Sequence, residues 1–193
     1  APALALAEPV HVVCRQDKSD RLLADLAVFA LDLVLADAPV GPGSSVKAFN
    51  HLLGECGVTF FAVDALARSR RRGFPRSLDG APMLLPTANS ALRRALEQWF
   101  LSNGIRPRVV AECDDSALLK VIGQSGAGIV PAPTVAEAEI RRHYQLAPLG
   151  RTDEVRERFY AISLERRIKH PAVVAISQSA RAHLFGDSAK PLA

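Results

Sequence analysis

The sequence predicts an α/β fold with a mostly parallel sheet, built as two lobes. Three observations carry this expectation. Short runs rich in Val, Ile and Phe alternate with longer stretches whose apolar residues recur every three or four positions. Pro and Gly punctuate the joins, as in Gly41-Pro42-Gly43. Residues 54–63 and 158–164 divide the chain into three pieces, as when a chain leaves one lobe, builds a second and returns.

Taken in order, residues 10–14 (VHVVC) read as a buried strand. Ser19 or Asp20 caps a helix with Leu22, Leu23, Leu26 and Phe29 on one face. Residues 31–39 form an apolar strand ending at Pro39, and residues 57–63 form another. An arginine-rich loop and a short buried strand over 80–86 follow. Asn89 or Ser90 caps a helix striped by Leu92, Ala95, Leu96, Trp99 and Phe100, and Gly104 stops it. A strand over 107–113 leads into a short helix with Leu118, Leu119, Val121 and Ile122, then into the strand AGIVPA. Thr134 and Glu137 have capping-box spacing for a helix through Tyr144. Residues 158–164 make the last strand, and His170-Pro171 opens a helix with Val173, Val174, Ile176 and Leu184.

Composition narrows the function classes. Of 193 residues, 49% are apolar and 23% charged, enough for a real core and too apolar for a disordered chain. Cys14, Cys56 and Cys113 are widely spaced with no CxxC, which argues against a disulfide framework and against zinc. The five histidines form no HxxxH or HExxH pattern. The opening APALALAEPV lacks a basic leader and a cleavage site, and no apolar run approaches a membrane span. These features suit a reducing compartment, and the expected location is the cytoplasm. The net charge of +4 is partly local, because Arg68, Arg70, Arg71, Arg72 and Arg76 lie close together. That run is either a solvated loop or a phosphate-gripping patch.

The candidate motifs each have a plainer alternative. Gly123, Gly126 and Gly128 follow a helix and precede a strand, the reverse of a dinucleotide fingerprint, so they stop the helix or edge a ligand. Asp114 and Asp115 cap a helix or border a cleft at a strand's carboxyl end; as adjacent residues they cannot flank one glycosidic bond. Thr87, Asn89 and Ser90 cap the next helix or offer its free amides to an anion. Asp17, Ser19 and Asp20 form either a solvated cap or a set of hard oxygen ligands for a cation. Asp37, ending an apolar strand, is structural or cleft-lining. No GxSxG occurs, and the His51/Cys56 spacing does not build a nucleophile, so no catalytic residue is assigned.

Several segments are more specific than this pattern. They include AEPVHVVC, LLADLAVFALDLVLADAPV, FNHLLGECGVTFFAV, FPRSLDGAPMLLP, EQWFLSNGIRPRVVAECDDSALLKVIGQSGAGIVPAPT and GRTDEVRERFYAISLERRIKHPAV. Over nearly its whole length the chain resembles the effector-binding domain of LysR-type transcriptional regulators. Within that family it is similar to the NhaR-like branch, activators of a sodium/proton antiporter gene. The resemblance implies a fold like the type II periplasmic binding proteins, with two α/β lobes joined by two crossover strands. Lobe I would be residues 1–58 with 160–193, and lobe II residues 59–159. The effector cleft would be edged by Asp17, Ser19 and Asp20, by Asp37 and Pro39, by Thr87, Asn89 and Ser90, by Asp115 and Ser116, and by Gly126 and Gly128. Na⁺ or Li⁺ is the implied effector, with Asp20 first and Asp17 second as ligands; a small molecule is the other option. No other cofactor is expected. DNA would be met only through a helix-turn-helix domain outside this chain, in a homodimer or homotetramer without membrane contact. The family's first lobe I strand is expected to precede Ala1. A transporter's solute-binding protein shares the fold and is the alternative; an enzyme is not expected.

Overall fold

The protein was analysed as a computed structural model, which describes residues 2–186. The chain divides into two compact units, Ala1–Glu55 with Arg158–Ala193, and Cys56–Glu157. It passes between them twice, within two long strands.

A short 3-10 turn, Pro2–Ala5, precedes α1 (Ser19–Ala27), β1 (Val34–Ala36) and β2 (Phe49–Ala62). Then come α2 (Asp64–Arg71), β3 (Pro82–Leu85), α3 (Ala91–Ser102), β4 (Arg108–Glu112) and α4 (Ser116–Gln124). β5 (Val130–Pro133), α5 (Glu137–Tyr144), β6 (Ala147–Ser163) and α6 (Pro171–Ala180) complete the order. Four strands form a sheet in the order β1-β6-β2-β5, and β3 pairs with β4.

The larger unit is built on the alternation of β2. Phe60 and Phe61 are both fully buried but serve different clusters, as successive residues of a strand must. Phe60 joins Trp99, Phe74 and Phe100, with ring centroids 5.6, 5.7 and 6.3 Å away. The Trp99 indole donates to Glu154 at 2.7 Å, so the ring is buried without orphaning its N–H. Phe61 packs with Leu84, Leu119, Val130, Ile140 and Leu146. α3 buries Leu92, Leu96, Trp99 and Phe100, four of the residues expected on its stripe. Gly104 stops the chain after it at φ +64°. In the smaller unit the core is Leu23, Leu26, Val34 and Ile162. α6 starts as expected, with His170 at the cap and Pro171 in the first turn; the Leu184 side chain lies outside those described.

Several expectations are corrected. The strand over 10–14 does not form; those residues have no regular structure, and Val13 is 62% exposed. A β-rich run without a pairing strand has nothing to satisfy its backbone. α1 ends at Ala27, so Phe29 leaves the stripe and is exposed, at φ +59°. The first part of the arginine run is helix α2, with Arg68 paired to Asp64 one turn back. The Thr134/Glu137 capping box is absent because Thr134–Ala136 is a 3-10 turn; Thr134 instead hydrogen-bonds Thr59, Oγ1 to Oγ1, at 2.9 Å. The sheet is mixed rather than mostly parallel. β1–β6 and β2–β5 are antiparallel, while β3–β4 and the Met83/Ile129 bridge are parallel. Apolar runs mark strands but carry no direction. The two long strands were also seen only in part, because β2 has 14 residues and β6 has 17, and the ends missed do not alternate strictly between apolar and polar residues.

Candidate functional site

The predicted residues fall into two groups, one in each unit. In the smaller unit, the start of α1 and the loop after β1 line a groove of about 550 Å³. Ser19, Asp20, Pro39, Gly41, Ser44 and Ser45 are among its lining residues. The loop is fixed from β2, since the Val40 amide donates to Asn50 Oδ1 at 2.8 Å and Asn50 Nδ2 donates to the Val40 carbonyl at 3.1 Å. Asn50 was not singled out from the sequence; an Asn in a strand, where that residue is depleted, was the available signal. A turn from the Ser44 amide to the Gly41 carbonyl, at 3.1 Å, sets the opposite lip.

The two other carboxylates expected here behave differently. Asp17 accepts the Lys18 amide at 2.7 Å and lies 3.5 Å from Arg21. The amide first and the guanidinium second hold its carboxyl below the usual carboxylate range. One of its oxygens accepts from the chain and the other faces Arg21. Asp37 is exposed and is not part of the groove lining; water satisfies it, and the argument that it needs a buried partner does not apply.

As a donor set the groove offers one carboxylate, Asp20, with the hydroxyls of Ser19, Ser44 and Ser45. Hard oxygens of this kind fit a weakly held alkali cation. They do not fit a tightly bound divalent ion, and among the described residues no group of three or more His, Cys, Asp or Glu could hold a metal.

In the larger unit, the parallel β3–β4 pairing and the parallel Met83/Ile129 bridge just before β5 bring the carboxyl ends of these three strands to one side. Thr87 follows β3, Asp114 and Asp115 follow β4, and Thr134 follows β5. The Thr87 hydroxyl donates to Asp114 Oδ1, joining the first two turns. Asp115 is a true cap, accepting from the Ala117 and Leu118 amides at 2.7 and 3.3 Å. Ser90 sits at the cap of α3 without a side-chain bond to it, and its amide turns back to the Thr87 carbonyl at 3.1 Å. The Asn89 carbonyl accepts from Arg94 at 3.1 Å. Ser116 receives the Lys120 ammonium on its carbonyl and its hydroxyl, at 3.1 and 3.3 Å.

Two residues missed from the sequence hold this end together. Arg93, with a side chain only 11% exposed, donates to Glu97 at 2.6 Å, Glu112 at 2.7 Å and the Pro86 carbonyl at 2.9 Å. Burial opposes its charge, but the two carboxylates outweigh that and keep its pKa raised. Lys120 is half-buried beside the Tyr144 ring; burial pushes its pKa down against Glu139, Asp115 and Glu157.

Gly126 and Gly128 do not join this group. They precede β5, and the Met83/Ile129 pairing puts them beside the start of β3. Thr87 is five residues farther along from Pro82, about 16 Å at strand rise. Gly126 stops α4 at φ +81°, its amide bonded to the Gly123 carbonyl at 2.9 Å. A Cβ on Gly128 would come 3.0 Å from the Pro82 carbonyl oxygen. Both glycines serve the backbone, one as a helix stop and one at a close approach to β3.

The comparisons with known proteins give the family. The family model for the LysR substrate-binding domain matches residues 5–185. The chain belongs to that family. Its members are regulators rather than enzymes, and this chain is an effector-binding domain of the LysR type. It is 31% identical over 188 residues to the transcriptional activator protein NhaR of Escherichia coli (strain K12), which covers 97% of this chain and 62% of that protein. Among solved structures, the apo regulatory domain of HypT from Salmonella typhimurium matches with a TM-score of 0.69 at 16% identity, over 94% of this chain and 87% of that one. Vibrio fischeri DarR, solved in complex with DNA, matches with a TM-score of 0.66 at 18% identity, over 90% and 58%. At such identities the structures establish the fold, two-lobed α/β of the periplasmic-binding-protein kind. Among the described residues, no helix is long and apolar enough to cross a membrane.

Proposed function

We propose that the chain senses Na⁺ for a LysR-type transcriptional activator that controls a sodium/proton antiporter gene. The observation that carries this reading is the 31% identity to NhaR along 97% of the chain. The relative extends well beyond this chain, so DNA would be read by a part of the protein outside it. The working form would be a cytoplasmic homodimer or homotetramer. Asp20 is the primary ligand, with Ser19 and the Ser44-Ser45 hydroxyls completing an oxygen shell. Asp17, already bound to Lys18 and Arg21, contributes to the field rather than to the shell. The turns at Thr87, Asn89, Ser90, Asp115 and Ser116 are the second effector-facing group, suited to a small polar or anionic molecule.

An effector switches such a protein only by binding one conformational state better than another. A weak cation site implies a coupling of roughly 1–3 kcal/mol. The test is thermal shift with Na⁺, Li⁺ and K⁺ at constant ionic strength, on the wild-type protein and on Asp20→Ala. The expected result is stabilisation by Na⁺ and Li⁺ above K⁺, abolished by Asp20→Ala. Equal responses to all three ions would mean screening, not a site, and would overturn the reading.

A further inference from the structure

The arginine run of the sequence is half of a larger basic surface at one end of the Cys56–Glu157 unit. α2 ends in Arg70 and Arg71, and Arg72 and Arg76 follow before β3. Backbone bonds bring the start of β4 alongside. The Gly80 amide donates to the Arg106 carbonyl at 3.0 Å, the Arg106 amide to Asp79 Oδ1 at 2.8 Å, and the Arg108 amide to the Ala81 carbonyl at 2.9 Å. Six arginines thus lie on neighbouring segments with Asp79 at the amino ends of β3 and β4, and Arg71 among them also lines a groove with Asp64 and Glu137. This is the opposite end of the strands from the Thr87/Asp114 turns.

The helix dipole explains cations in the last turn of α2 but not Arg72, Arg76, Arg106 and Arg108, which lie beyond it and are exposed. The backbone carrying them is also held in place. Arg70 donates to the Ser77 carbonyl at 3.0 Å, and the Ser77 hydroxyl returns a bond to the Arg70 carbonyl at 2.5 Å. Arg71 reaches the Pro148 carbonyl at 2.7 Å. Arg70 and Arg71 are thereby engaged by carbonyls, while the exposed guanidinium groups of Arg72, Arg76, Arg106 and Arg108 stand on a backbone held in place and suit phosphate oxygens, which such groups can grip in pairs. The one aromatic residue in the run, Phe74, is packed into the core beside Phe60 and Trp99, so no ring is offered for stacking on unpaired bases.

We infer that this arginine-rich end binds the phosphodiester backbone of duplex DNA without reading sequence, as an auxiliary contact in a regulator held on DNA by another domain. The inference rests on the regulatory reading above but not on sodium. Binding of this chain to a random 20-base-pair duplex is measured by fluorescence anisotropy between about 50 and 200 mM KCl. The triple variant Arg72→Gln/Arg76→Gln/Arg108→Gln is expected to bind at least tenfold more weakly at the lowest salt. Its log–log salt slope should fall by about 2 to 3. The control variant Arg166→Gln/Arg167→Gln/Lys169→Gln removes the same charge from the other unit and is expected to keep wild-type affinity. Equal loss in both variants, or no duplex binding by the wild type, would overturn the inference. A poly-aspartate peptide that binds more tightly than the duplex would also overturn it, in favour of an acidic protein partner. None of these results touches the ion test, which uses no DNA.

Discussion

The two units place their candidate sites on very different foundations. The larger one buries Phe60, Trp99 and Phe100 in one cluster and Phe61 in a second, and its turns sit at the ends of packed strands. The smaller one rests on Leu23, Leu26, Val34 and Ile162, and its groove lies between a nine-residue helix and a loop held by one asparagine. A site on rigid strand ends keeps its geometry when empty. A groove between a short helix and a loop is more easily reshaped, because less buried area opposes its opening. Under the proposed function, the smaller unit's groove would take a weak effector and the larger unit's turns would give preformed recognition.

Truncations in the two cores test that contrast most strongly. Phe60→Ala is expected to cost about 3–5 kcal/mol and Leu26→Ala about 2–3 kcal/mol, read by chemical denaturation. Equal costs would remove the distinction. Next is Arg93→Ala, which strips Glu97, Glu112 and the Pro86 carbonyl of a shared donor. A loss of about 1–2 kcal/mol is expected, with faster hydrogen exchange at the turns after β3 and β4 and no change in the α1 groove.

The smallest effect belongs to His51 in the smaller unit. Its side chain is buried on β2, with Nε2 3.0 Å from Ser163 Oγ and 3.3 Å from the Glu165 carbonyl. Burial lowers its pKa below 6.5, with the Glu165 bond opposing that shift and Arg181 adding to it. The unfolded chain therefore takes up the proton first. The stability from neutral His51 is complete above about pH 6.5 and is lost as the pH falls toward and through the lower folded value. His51→Gln should flatten the fall in stability between about pH 7 and 5, measured by urea midpoints. An unchanged pH profile would show that the site titrates alike in both states.

Much of the larger unit was legible because its elements are amphipathic. The α3 stripe, the Gly104 stop and the Asp115 cap all follow from local rules of spacing and backbone geometry. The strand expected over 10–14 failed for a reason no local pattern contains, since a strand exists only where another is free to pair. β2 and β6 were read at half length or less because the ends missed do not alternate strictly between apolar and polar residues. At the candidate sites, the residue types and turn positions were readable, but their partners were not. Asp20 ranks ahead of Asp17 by its place at a helix entry, but only the structure shows that Asp17 accepts from an amide beside a guanidinium while Asp20 lines a groove.

The sequence by itself determined which segments could fold as helix or strand, that no catalytic constellation is assembled locally, and which family the chain resembles. Periodicity, caps and motif identity are all properties of neighbouring residues, so they are written in the order of the chain. Tertiary structure alone decided strand direction, the separation of Gly126 and Gly128 from the carboxyl-end turns, and the union of Arg106 and Arg108 with the arginines of residues 70–76. Each of these depends on which distant segments share a hydrogen-bonded edge, and that pairing is fixed by packing the whole unit rather than by any stretch within it.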